Sequence, residues 1–204
     1  MLDLAVIALT FGPIFVVELP DKTFIAALVL STRYRPLLVW VGVGLAFGIQ
    51  SLIAVTAGHF IGLLPEALIK GVSTAIFLLG AVLLFRAAPG ADAGERAQEE
   101  EYAERARDPK TGMRAVAASF LVLFAAEWGD LSQLVTMSRA AEYGEPASVF
   151  LGAWGALLAV SGLAVLVGRF LLQHLRLSVL HYVGAGVCLT LAVLTGMELL
   201  RALL

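Results

Sequence analysis

Two short acidic segments interrupt long apolar runs of this chain. Glu18-Leu19-Pro20-Asp21-Lys22-Thr23 lies in the first run, and Glu127-Trp128-Gly129-Asp130-Leu131-Ser132 lies in the fourth, 109 residues further on. A carboxylate at bilayer depth costs at least ~2.5–3.5 kcal/mol on insertion scales, so four of them in two matching pairs imply a task. In each pair the acids are three residues apart, which puts both on one face of a helix. Clustered hard oxygens suit Ca²⁺, Mn²⁺ or Mg²⁺. Neither segment contains His or Cys, which disfavours Zn²⁺ and Cu⁺. Glu18, Asp21, Glu127 and Asp130 are therefore the candidate metal ligands. Thr23, Ser132 and Gln133 are placed to add neutral oxygens or to orient the carboxylates. Lys22 can neutralise one acid but not four, so a buried ion pair that only locks helices together leaves most of the charge unexplained.

The residues between the acids bear on the backbone. Pro20 has no amide hydrogen, which leaves the Val16 carbonyl without its helical partner. Gly129 weakens the helix at the equivalent place. A kink or unwound turn is expected at both, with freed carbonyls as further candidate ligands. Two carboxylates ~5 Å apart repel by ~3 kcal/mol at an effective dielectric near 20. An empty cluster therefore takes up protons that an entering divalent ion expels, and those protons belong to the cluster rather than to one acid. Competition of this kind is the physical basis of cation/proton exchange.

The elements that carry these groups read as membrane helices. Of 204 residues, 60% are hydrophobic and 15% charged, where a soluble domain carries nearer 25% charge. A helix needs about 20 apolar residues to cross the hydrocarbon core. Six stretches meet or approach this, at 4–32, 37–60, 67–86, 113–139, 147–170 and 179–203. The expected fold is all-α: a six-span polytopic membrane protein built from two inverted three-helix repeats, 1–86 and 113–204, joined by a charged loop at 87–112. An odd number of spans per repeat gives the second half the opposite topology, a plan that places an ion site near the midplane.

The halves match beyond the acids. Eight of 23 pairs between Val39–Ile61 and Val149–Leu171 are identical, including Gly42/Gly152, Ser51/Ser161 and Gly58/Gly168, and Phe11/Phe120 and Phe15/Phe124 precede the two glutamates at one fixed offset. Small residues such as Gly42, Gly44, Gly48, Gly152 and Gly155 are expected to let helices approach closely, without touching the ion. Lys and Arg set the orientation. The side that holds the central loop carries ten (Arg33, Arg35, Arg86, Arg96, Arg105, Arg107, Lys110, Arg114, Arg169, Arg176), against three on the other (Lys70, Arg139, Arg201). This puts the central loop in the cytoplasm and both termini outside, in the cell (inner) membrane.

Other features carry less. The segment 87–112 holds seven acids and four bases and no apolar stripe, so it reads as a solvated linker. Asp3, Arg139 and Glu198 fall near span ends and are expected at the interface, and His59, His174 and His181 near loops as ordinary wet histidines. Cys188 is alone, which leaves no disulfide framework. No basic region precedes the first apolar run, so that run reads as a retained span and not a cleaved signal. A net charge of −2 gives no case for nucleic acid. The expected partners are a divalent metal ion, protons and the lipid bilayer, with a homo-oligomer left open and no prosthetic group.

The two acidic segments resemble the signature Glu-x-Gly-Asp-(Lys/Arg)-(Thr/Ser) of the GDT-type exchangers, small membrane proteins of bacteria, chloroplasts and the Golgi. The resemblance covers essentially the whole chain: three spans, a charged loop, three spans, with one motif in each half. It implies export of Mn²⁺ or Ca²⁺ from the cytosol against incoming protons, with cation binding by Glu18, Asp21, Glu127 and Asp130, and it carries the hydroxyl position over to Thr23 and Ser132. Two positions depart from the signature: Pro20 replaces the glycine of the first copy and Leu131 the base of the second, which makes the half-sites unequal. Two rivals stay open at this level. A small organic solute such as an amino acid is compatible with the broader LysE-like superfamily and should need a larger polar cavity. An intramembrane lipid-phosphate hydrolase should need a nucleophile and arginines beside the acids, and neither motif has a membrane-embedded arginine.

Overall fold

The computed structural model describes residues 2–19, 21–106, 110–174 and 176–203, with side chains at all of these except 168, 169 and 171–174. Four runs of helix are long and apolar enough to cross a bilayer on their own. They fall in α3 (Pro36–Ile61), in α4 (Glu66–Ala87) with its continuation to Arg105, in α8 (Pro146–His174) over Pro146–Val167, and in α9 (Leu177–Leu203). Two further helix pairs are long and apolar enough only when taken together, and each is bent at its break: α1 (Leu4–Glu18) with α2 (Lys22–Arg33), at 70°, and α6 (Met113–Ala126) with α7 (Leu131–Tyr143), at 76°. Between α4 and α6 runs α5 (Ala91–Arg105). The described chain has no strand. It is an all-α polytopic membrane protein, with six crossings when each bent pair is taken as one.

Burial is inverted relative to a soluble domain. Leu4, Leu45, Leu52, Phe60, Phe85 and Leu166 face outward, while Thr10, Gln50, Ser51, Ser119 and Ser161 are buried. In lipid an outward leucine costs nothing, and a polar group is satisfied only by the protein interior. Local signals set the helix ends. Asp3 starts α1 by accepting hydrogen bonds from the Ala5 and Val6 amides at 2.8 and 3.3 Å, and its own N–H donates to Ser148 Oγ at the head of α8 (2.9 Å). Pro36 opens α3.

The two halves interlock by exchange. Helix α1 packs on α8 and its counterpart α6 packs on α3, while α4 and α9 pair with each other. Matching glycines make these crossings close. A Cβ at Gly152 would lie 2.6 Å from the Ile7 carbonyl oxygen and 2.9 Å from Thr10 Cβ; one at Gly42 would overlap the Val116 carbonyl oxygen and touch Ser119 Cβ. Gly42 and Gly152 correspond in sequence, as do Thr10 and Ser119. The phenylalanine pairs also correspond: Phe11–Phe15 and Phe120–Phe124 stack at 5.6 and 5.4 Å, each with 12° between ring planes. Trp154 Nε1 donates to the Gly44 carbonyl (2.8 Å), and Trp40 Nε1 to that of Leu158 (3.0 Å), pinning α3 to α8.

One expectation is corrected. The segment 87–112 is not merely a solvated linker: α5 packs against α2, and Tyr102 and Ala106, 4% and 1% exposed, belong to the main core. Asp92 ties its start to α9, accepting from the Ser178 amide (3.0 Å) and hydroxyl (2.9 Å). One aromatic and a few alanines accomplish this, too little to register as an apolar stripe. Arg139, near the end of α7, is packed inside the protein. It is 4% exposed, paired with Glu142 at 2.8 Å, bonded to the Tyr143 hydroxyl at 3.0 Å and stacked over Phe77 at 5.0 Å. Asp3 and His59 are exposed, Glu198 pairs with Lys70 (3.4 Å), and the His174 side chain and residues 107–109 lie outside the described part.

Candidate metal site

Each acidic segment sits where its helix breaks. In the first half α1 ends at Glu18 and α2 begins at Lys22; in the second α6 ends at Ala126 and α7 begins at Leu131. Both expected interruptions are thus present, although Pro20 itself lies outside the described residues. Gly129 adopts φ +77°, in the left-handed region that glycine enters without a Cβ penalty. The two aspartates become helix N-caps. Asp21 caps its own helix, Oδ1 accepting from the Lys22 amide at 2.6 Å, whereas Asp130 makes no side-chain cap to α7.

The four carboxylates meet. Glu18, Asp21, Glu127 and Asp130 each offer an oxygen, and these oxygens all lie within 4.8 Å of one another. Glu18 is fully buried and Glu127 is 2% exposed, with both aspartates partly buried. Both oxygens of each glutamate, Asp130 Oδ2 and Thr23 Oγ1 are buried without a hydrogen-bond partner in the protein. Buried anionic oxygens without donors are costly unless a cation or protons satisfy them, so the donor set fits a hard divalent ion. Lys22, from the first half, reaches across to Asp130 of the second, Nζ to Oδ1 3.3 Å. Its counterpart Leu131 instead packs with Val17, Ala81 and Cys188, against Gly80. Thr23 and Ser132, both buried, stand beside the Glu18 carboxylate, one from each half.

Several backbone carbonyls at the breaks already accept one hydrogen bond each. Those of Phe15, Glu18 and Asp21 already accept from Leu19, Asp21 and Phe24, and those of Leu123, Glu127 and Asp130 from Glu127, Asp130 and Leu134. The Phe124 carbonyl accepts from Gln50 Nε2 at 3.0 Å. Gln133 is spoken for as well, its Oε1 accepting the Gly129 amide at 3.0 Å. Gln50 was not among the residues singled out above, although a lone carboxamide inside the 37–60 stretch was a usable signal. It lines a pocket of about 10 Å³ with Glu127, Ser132, Gln133 and Thr136, room for a single water.

A polytopic helical protein with a largely buried tetra-carboxylate cluster contributed by two corresponding halves belongs, by fold and site, among ion-translocating membrane proteins. The sequence comparisons then identify the family. The profile described as "Divalent cation/proton antiporter GDT1" matches residues 6–92 and again 115–202, and the chain belongs to this family, one of transporters and not of enzymes. A GDT1-like protein of Synechocystis is 33% identical over 168 residues, covering 76% of this chain and 82% of that protein. The chloroplastic protein PAM71 of Arabidopsis thaliana is 33% identical over 210 residues, 94% of this chain and 56% of its own length. A Vibrio cholerae protein named "Putative manganese exporter" is 27% identical over 197 residues, 94% of this chain and 90% of that protein. The chain therefore spans most of these bacterial relatives but little more than half of the chloroplastic one. No solved structure matches it.

Proposed function

We propose that this chain exports a divalent cation, Mn²⁺ first and Ca²⁺ next, from the cytosol in exchange for protons, and that Glu18, Asp21, Glu127 and Asp130 hold the ion. The observation that carries this reading is the convergence of four buried carboxylates, two from each half, within 4.8 Å. All four are hard oxygen donors, and the buried glutamate oxygens have no protein donor. With the cation absent, such a cluster retains protons; with the cation present, the protons leave. Lys22 lies against Asp130 as a tethered positive charge that partly stands in for the ion between cycles. The Vibrio relative's printed name supports Mn²⁺ as cargo.

Access alternates by rocking of two inverted repeats, 1–86 and 113–204, about the shared site. The two matches to one family profile, one in each half, support that division. The distribution of Lys and Arg supports a cell-membrane protein with the 87–112 segment cytoplasmic and both termini outside. The test is Mn²⁺-driven proton flux in proteoliposomes. Glu18→Gln and Asp130→Asn should each abolish it, and wild-type flux in either variant removes the acids from the mechanism.

A further inference from the structure

The two helix breaks that carry the acids are held in different ways, and the difference follows from paired residue changes. In the second half the Gly129 amide donates to Gln133 Oε1 at 3.0 Å, and the Phe124 carbonyl, left without its helical partner where α6 ends, accepts from Gln50 Nε2 at 3.0 Å. In the first half the positions corresponding to Gly129, Gln133 and Gln50 are Pro20, Phe24 and Val160. Proline has no amide to donate, and no carboxamide stands where one is not needed. Phe24 and Val160 are instead buried together in an apolar cluster. The donor and its acceptor are thus absent together from one repeat and present together in the other.

The amide orientation of Gln133 is fixed by chemistry. An N–H group donates only to the carboxamide oxygen, so Oε1 must face Gly129 and Nε2 must face the opposite way. That Nε2 is buried without a protein partner, in the wall of the small pocket that Glu127 and Gln50 also line. An amide nitrogen carries hydrogens and no lone pair for a metal. What Gln133 presents to the acidic cluster is thus a donor suited to a carboxylate.

We propose that Gln133 and Gln50 are positioning residues which clamp the Glu127–Asp130 loop at its middle and at its entry, and that Gln133 acts on the cation through those two acids and not as a ligand. The inference rests on the cation site proposed above. Gln133 fastens the middle of the loop to the first turn of α7, and Gln50, 2% exposed on α3, fastens its entry. With either clamp removed, two of the four carboxylates lose their fixed place. Asp21 of the first half keeps its place, held by its own cap on the Lys22 amide.

The experiment is a double-mutant cycle on Mn²⁺ affinity, read by calorimetry on the purified full chain in detergent, with transport rates from proteoliposomes alongside. Gln133→Met and Gln50→Met keep side-chain length and lose the hydrogen bonds. Each should weaken Mn²⁺ binding roughly five- to tenfold, about the worth of one buried hydrogen bond, and raise KM by a similar factor with a smaller change in kcat. Because both act through one loop, the double variant should lose clearly less than the product of the two single effects. Multiplicative losses, or wild-type affinity in Gln50→Met, overturn the proposal. Gln133→Cys supplies the independent arm. A thiol at a ligand position should shift preference toward Cd²⁺, so an unchanged Cd²⁺/Mn²⁺ ratio supports positioning and a gain in Cd²⁺ affinity overturns it. Thermal unfolding identifies any variant that fails to fold, in which case Gln50→Val, which imports the residue found at the corresponding position 160, replaces it in the cycle. Failure of the unaltered protein to bind Mn²⁺ overturns the underlying site as well; binding with multiplicative losses overturns only the clamp.

Discussion

Replacing Lys22 by methionine removes one positive charge from the acidic cluster while keeping the aliphatic stem. Lys22 Nζ stands 3.3 Å from Asp130 Oδ1, with the two side chains 32% and 16% exposed. At that distance and an effective dielectric near 20, the gross attraction is about 5 kcal/mol. Partial exposure and the ordering of a long side chain reduce the net value to about 1 kcal/mol. The effect on an incoming ion is larger. A divalent cation among the four oxygens, roughly 5 Å from a fixed ammonium, meets a repulsion of about 7 kcal/mol at the same dielectric. Lysine relieves most of this by swinging its head toward solvent, and a residue of about 1.4 kcal/mol corresponds to a factor of ten in affinity. Lys22→Met is therefore expected to bind Mn²⁺ about tenfold more tightly and to turn over more slowly, because the charge that helps expel the ion is gone. Calorimetry on the purified protein gives the affinity, and initial rates in proteoliposomes give turnover. Unchanged or weaker binding would refute the idea that Lys22 opposes the cation, and would leave it only a role in holding Asp130.

Two further predictions concern the scaffold. Gly42→Ala and Gly152→Ala each drive a methyl into a backbone carbonyl at a helix crossing; each should cost about 1–3 kcal/mol by overpacking and lower the unfolding temperature and Mn²⁺ affinity alike, whereas Gly12→Ala, with nothing within 4 Å, should do neither. Arg139→Met strands Glu142, whose side chain is only 12% exposed, and should cost about 3–5 kcal/mol as a broken buried pair; Arg139→Met with Glu142→Leu should recover most of that loss in the same thermal assay.

Much of this protein is legible in one dimension because the bilayer simplifies the code. Apolar blocks of about 20 residues mark crossings wherever they fall, and a carboxylate inside such a block stands out since lipid offers it no water. The repeat is legible for a related reason. Two halves that pack against each other in corresponding ways keep the same small residues at the same places, as Gly42 and Gly152 do. The α5 packing was hidden because Tyr102 anchors it almost alone within a run of acids, and a charge count sees only the acids. The partners of Arg139 were equally hidden, because position near a span end says nothing about which face the side chain occupies; here α7 turns it onto Phe77 and Glu142.

The acids, their spacing and their depth were determined by the chain itself, since residue type and hydropathy alone make such groups expensive. Whether they meet was not. Glu18 and Glu127 are 109 residues apart, and only the exchange of partners between halves, α1 on α8 and α6 on α3, brings their oxygens into one cluster. Which neutral groups remain free to touch an ion was likewise decided in three dimensions. Several break carbonyls and the Gln133 oxygen already accept local hydrogen bonds, and the bond from Gln50 to the Phe124 carbonyl exists only once α3 and α6 have packed.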